Sequence, residues 1–345
     1  MPLPQQQNQT RNGSILNQQK QALPEISSPL TVAKSFSDNQ RLLIEAYLKL
    51  LDMVAVSQEP TRVITGITKN RYLIYVHGIS QHQHGYSNSW WQALQPYLGA
   101  VFEDGNLDDT RREVLWSDLV NAPSVANMVD TTSQEQLKRE ILTILEDRQR
   151  QEMAAKTGGG RQVYLSMQNR VIETSQVLGI DDFLIYMLSG EMRQQIINRF
   201  TDTVKPLLGS NNQIDIIAHS WGTVVAYEGL RELEAEKFLQ GQVSNFFTVG
   251  SALSIGPVRA SLRSENQDGR RPSMVNKWIN LDAQGDLVGG MLGDMFEITQ
   301  ENLSLQPIGC LLEWFGYSLS CAHHSYFVKE NTTVNRDIFA QSILD

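Results

Sequence analysis

The chain has 345 residues, 41% of them hydrophobic and 19% charged, with a formal net charge of −9. That is enough apolar material for a sizeable core in one large domain or two modest ones. A mild acidic balance argues against a nucleic-acid binder, which needs Lys and Arg gathered against phosphates.

The opening stretch MPLPQQQNQTRNGS lacks the charged start, apolar run and cleavage site of a signal peptide. No segment approaches about 18 uninterrupted apolar residues, so no transmembrane segment is expected. A cytoplasmic protein follows by default, with peripheral membrane contact left open. Cys310 and Cys321 form no CxxC pair and read as two free thiols near a core, a bridge between them being expected only of an exported chain.

Residues 1–35 are rich in Gln, Asn, Ser and Pro without apolar periodicity, and so read as a disordered tail. From Asp38 onward Leu42, Leu43, Ala46, Tyr47, Leu50 and Leu51 recur at helical spacing up to Pro60. Five short apolar runs follow: 72–76, 114–116, 214–218, 246–249 and 278–281. Runs of this kind suit strands buried on both faces of a parallel sheet. Helical patterns between them, as over Thr223–Phe238, make the fold class α/β, with helices flanking a central mostly parallel sheet. The interval 121–208 breaks the rhythm with helical stretches and the loop Gly158-Gly159-Gly160, and reads as a helical cap insertion within one domain over 36–345.

The sharpest local signal is Ala218-His219-Ser220-Trp221-Gly222, between an apolar strand and a helix-forming run. A nucleophile on a tight strand-to-helix turn needs small residues two positions to either side, and Ala218 and Gly222 supply them. A serine at an ordinary helix cap is the plainer alternative. Tyr75-Val76-His77-Gly78-Ile79 ends the first run. Acyl transfer requires N–H donors aimed at the carbonyl oxygen, and the amides of Ile79 and Trp221 are the candidates. His82 and His84 stand two apart with no third ligand, a weak metal signal, and no metal or cofactor is implied.

YVHGIS at 75–80, Trp90-Trp91, IIAHSWG at 216–222, TVGSAL at 248–253, WINLDAQGDLVGG at 278–290 and CAHHSYF at 321–327 together resemble the α/β-hydrolase superfamily. The likeness is to its esterase- and lipase-like members and spans roughly residues 70–335, with Ala218 standing where glycine is usual. The resemblance implies a serine nucleophile, then an acid, then a histidine along the chain. It favours Asp286, followed by Leu287-Val288, over Asp282 as the acid. It favours His323, three residues before the pair Tyr326-Phe327, over His324 as the base. His77 and His219 would be structural. The implied function is hydrolysis of a small-molecule or lipid ester. Acyl transfer, thioester cleavage and a non-catalytic interaction module are the competing readings.

Overall fold

The computed structural model describes residues 70–102, 106–120, 129–157, 180–210, 212–236, 241–310, 312–313, 316–317 and 319–345, all within the unit Thr68–Asp345. The expected tail, the helix from Asp38 and the triple-glycine loop lie outside these residues, as do Trp314 and Phe315.

Six strands form one sheet: β1 (Arg71–Val76), β2 (Arg111–Val114), β3 (Gln213–His219), β4 (Gln242–Val249), β5 (Val275–Ala283) and β6 (Gln300–Leu305). Their order is β2-β1-β3-β4-β5-β6, and every neighbouring pair is parallel. A short antiparallel pair, β7 (Leu312–Glu313) and β8 (Gly316–Tyr317), stands apart from it. The helices that matter for the site are α1 (Asn88–Leu94), α2 (Thr131–Thr157), α3 (Ile180–Leu188), α4 (Gly190–Gly209), α5 (Gly222–Glu234) and α6 (Leu319–His324). Within 121–208 the described elements are the helices α2, α3 and α4. None of the described helices is long and apolar enough to cross a membrane.

The alternation of side chains along a strand divides the core in two. Ile74, Val76, Ile214, Ile216, Ala218, Phe246 and Trp278 face one way, onto buried residues of α2 to α5. Leu73, Tyr75, Ile217, Phe247, Val249, Ile279 and Leu281 face the other, onto Trp91 and Leu94 of α1 and onto Val334, Phe339 and Ile343. A charged residue on a strand with both faces covered is costly to bury without a partner. Asp215 is fully buried and offsets this cost by pairing with Arg71 at 2.7 Å and accepting from Asn245 Nδ2 at 2.7 Å. Glu228 of α5 does so by accepting from the Tyr186 hydroxyl of α3 at 2.6 Å and the Arg263 amide at 2.9 Å.

Two sequence expectations are corrected. The second apolar run is displaced from its strand, because β2 ends at Val114 and Trp116 lies beyond it, stacked 5.0 Å from His77. The cysteines are not free thiols: Cys310 and Cys321 form a disulfide across 11 positions, ending two residues before His323. β6 was not anticipated at all. Its sequence QENLSL has no apolar run because, as an edge strand, it is largely exposed.

Closing a loop of this size restricts the unfolded chain by about 3 kcal/mol. Replacing both Cys310 and Cys321 by Ser is therefore expected to lower stability by about that amount in urea titration. Intact-mass measurement before and after reduction should show the gain of two hydrogens in the parent protein.

Candidate functional site

Chain order along the sheet reverses between β1 and β3: β2 follows β1 to one side, while β3, β4, β5 and β6 build outward on the other. Loops leaving the carboxyl ends of two such strands diverge and leave a crevice, which is where open α/β sheets bind ligands. The loop after β1 begins with His77-Gly78-Ile79, and the turn after β3 is Ser220.

Ser220 has φ +57°, a left-handed conformation that L-residues avoid. Its surroundings hold it there. Its amide donates to Val249 O at 2.9 Å, and its carbonyl accepts from the Thr223 hydroxyl at 2.6 Å and the Thr223 amide at 3.1 Å. The next turn is already α5, so the hydroxyl sits at a helix N-terminus. Space beneath the turn is minimal. A Cβ on Gly222 would lie 2.2 Å from His77 O, and one on Gly78 would lie 2.7 Å from the Ser220 Cβ.

Ser220, Asp286 and His323 are brought together from the turn after β3, the loop after β5 and the end of α6. His323, at the end of α6, has Nε2 2.8 Å from Ser220 Oγ. Its Nδ1 lies 2.9 Å from each oxygen of Asp286. A carboxylate only accepts, so the imidazole proton is on Nδ1 and Nε2 is free to accept from the hydroxyl. All three residues are buried, whereas His324 is exposed. The separation of the two histidines has a backbone cause. His219 Nε2 donates to the His323 carbonyl at 2.8 Å, which fixes the rotation of α6 so that the first histidine faces inward.

Asp286 also accepts from the Tyr326 hydroxyl at 2.6 Å and from the amides of Val288 and Gly289 at 2.9 and 3.1 Å. Burial alone would raise its carboxyl, but the neighbouring His323, the Tyr326 hydroxyl and the Gly289 amide outweigh burial and hold it well below the usual carboxylate range. Asp286 is thus ionised at any pH where the site works. Asp282 lies on β5, with its Oδ1 2.2 Å from where a Cβ of Gly289 would stand. Gly250, at φ +53°, closes the floor: a side chain there would meet Asp286 Oδ2 at 2.6 Å and His323 Nδ1 at 3.1 Å.

His77 is structural in a specific sense. The Trp116 amide donates to its Nε2 at 3.2 Å, so its proton is on Nδ1 and bonds the Gly78 carbonyl. Burial keeps His77 and His219 well below the usual histidine range, hence neutral. In a trans peptide the N–H points opposite to the C=O. Drawing the Gly78 carbonyl toward His77 therefore turns the Ile79 amide away from that ring. Among the described residues neither the Ile79 nor the Trp221 amide donates to another group. His82 and His84 diverge, the first 4.2 Å from the His77 ring and the second bonded to Asp108 at the surface, at 2.8 Å. Among the described residues no cluster of three or more His, Cys, Asp or Glu is placed to hold a metal ion.

The sequence marked Tyr326 only as part of the aromatic pair after His323, whereas its hydroxyl binds Asp286 and accepts from the Ala283 amide at 2.8 Å. Sequence reasoning passed over Gly250 and Arg148. The glycine was visible as the stop after the fourth apolar run. Nothing in the sequence around Arg148 distinguishes it from the other charges of a polar helix.

No family model matches the chain, and neither curated proteins nor solved structures yield a match.

What holds the turn can be tested by crowding it. Gly222→Ala is expected to cost at least about 3 kcal/mol in urea unfolding, since its new methyl meets backbone rather than a movable side chain. Gly190→Ala, where nothing lies within 4 Å, should be neutral or stabilising by up to about 1 kcal/mol.

Proposed function

We propose that this chain is a serine hydrolase of the α/β-hydrolase fold that cleaves carboxylic esters through an acyl-enzyme. The observation that carries the reading is the unbroken relay from Ser220 Oγ through His323 to Asp286, at 2.8 and 2.9 Å. A strand-to-helix turn presenting the serine above a parallel sheet supports it.

In this reading the Ser220 hydroxyl attacks the ester carbonyl while its proton passes to His323 Nε2. Asp286 stabilises the imidazolium and keeps Nε2 aimed at the oxygen. The charge that develops on the carbonyl oxygen falls to the amides of Ile79 and Trp221, helped by the N-terminus of α5. His323 then returns the proton to the departing alcohol. Water repeats the sequence on the acyl-enzyme, losing its proton to His323 and releasing the acid and free Ser220. No metal or cofactor enters these steps.

Lipid-like esters are preferred over polar ones on fold-level analogy. Transfer to an alcohol or thiol acceptor, or cleavage of a thioester, would use the same groups; products formed with added acceptors separate them from hydrolysis. The disulfide favours an oxidising compartment over the cytoplasm, since such bridges persist where thiols are not kept reduced.

A fluorophosphonate probe tests the proposal directly. Wild-type protein should be labelled at Ser220 and should hydrolyse a short-chain ester. Ser220→Ala should abolish labelling and lower turnover by a factor on the order of 10⁶ while keeping a native melting curve. A folded wild type that neither labels nor turns over would overturn the reading.

Asp286→Asn should lower turnover by about 10⁴, because the amide holds the imidazole in the wrong tautomer. Asp282→Asn leaves the carboxylate bonded to His323 in place and is expected to do far less. Steady-state kinetics on the two purified variants, compared side by side, decide between the carboxylates.

A further inference from the structure

The guanidinium of Arg148 reaches from α2 to the loop that carries Asp286. Nη1 has its shortest contacts with the carbonyls of Gly289 at 2.7 Å and Leu287 at 2.9 Å, which its two hydrogens can serve, and it also lies 3.1 Å from Ser254 Oγ and 3.3 Å from Val288 O. Nη2 donates to Ser254 O at 2.8 Å. Two of these carbonyls have a second significance. Leu287 O and the Val288 amide belong to one peptide group, and that amide donates to Asp286 Oδ1 at 2.9 Å. Val288 O and the Gly289 amide belong to the next, and that amide donates to the same oxygen at 3.1 Å.

Two peptide groups thus stand between Arg148 and Asp286, each with its N–H on the anion; the first has its C=O bonded to the cation, and the second has its C=O 3.3 Å from the cation and bonded to the Ser254 hydroxyl. A peptide whose carbonyl is held by a positive charge is polarised in the sense that strengthens its N–H as a donor. The arrangement also fixes geometry. The loop can rotate neither peptide without losing a bond at both ends, so the Asp286 carboxylate is held against the imidazole. The Ser254 hydroxyl donates to Val288 O at 2.8 Å, and Gly290 passes so near that a Cβ would lie 3.1 Å from Ser254 Cβ. Burial lowers the affinity of Arg148 for its proton, and the charges of Asp282 and Asp286 oppose that shift.

We propose that Arg148 is a positioning residue for the catalytic acid, acting on Asp286 through the 287–288 and 288–289 peptide groups, so that helix α2 of the insertion is a working part of the active site. This inference rests on the assignment of Ser220, His323 and Asp286 as a catalytic relay. Its consequence is that α2 and the acid loop are coupled through Arg148.

A double-mutant cycle tests it. The rate of fluorophosphonate labelling at Ser220 is measured for the wild type, Arg148→Met, Asp286→Asn and the double variant, across the neutral pH range. Probe binding is separated from bond formation by varying probe concentration. Arg148→Met should slow bond formation by at least about tenfold in the wild-type background and leave probe affinity unchanged. In the Asp286→Asn background the same change should slow it by no more than about twofold, because the group it acts through is already disabled. Arg148→Lys, which keeps the charge with fewer directed donors, should recover part of the rate; the cycle is run with it if Arg148→Met does not fold. Equal slowing in both backgrounds, or no slowing in either, would overturn the role of Arg148 while leaving the hydrolase reading intact. A folded wild type that is not labelled at Ser220 would overturn both.

Discussion

Ser220 is held at φ +57°, and most of the site follows from keeping it there. A non-glycine residue in that conformation costs on the order of 1–3 kcal/mol and persists only where its surroundings over-determine it. Here the restraints come from both sides of the turn. β4 takes its amide, Thr223 takes its carbonyl, and two glycines let β1 and α5 close on it from below. The strain is supported by the same two-sided core that makes the strands short and apolar. Relaxing the turn would swing the hydroxyl out of the crevice between β1 and β3.

A second layer of constraint governs the imidazole and the carboxylate, and much of it consists of side chains bonded to backbone carbonyls. His219, one residue before the turn, anchors the carbonyl of His323. His77, at the end of β1, anchors the carbonyl of Gly78. Arg148 anchors the carbonyls that follow Asp286. In each case a side chain grips a carbonyl, and the group that matters lies on the neighbouring atoms of the same loop. Loops held in this way keep their position without sacrificing the side chains they present. Trp90 adds an apolar contact between two of them, stacked at 3.8 Å on Phe327 and set edge-on to His219 at 5.7 Å.

How far the sequence discloses all this depends on range. The inner strands are legible because burial on both faces leaves an almost wholly apolar run, as at 73–76. β6 is not, because an edge strand is permitted to be polar, and QENLSL carries no contrast with a loop. Ser220, Asp286 and His323 stand out because each lies in a short segment whose neighbours are constrained with it. The pairing of Cys310 with Cys321 was misread for the opposite reason, since two cysteines 11 apart imply nothing until the chain between them is folded. Arg148 is the extreme case. It meets the acid loop across 139 to 141 positions, and no local pattern in α2 foretells it.

The sequence separation within the site has a bearing on biosynthesis. His323 follows Ser220 by 103 residues. At ordinary elongation rates of about 5–20 residues per second, the ribosome needs on the order of 5–20 s to supply the one after the other. Over that interval the strand and helix that pin Ser220 can exist, but its hydroxyl has no imidazole to take its proton. Under the proposed hydrolase reading, a nascent chain carries an unactivated alcohol until α6, which bears His323 and Cys321, docks beside the turn.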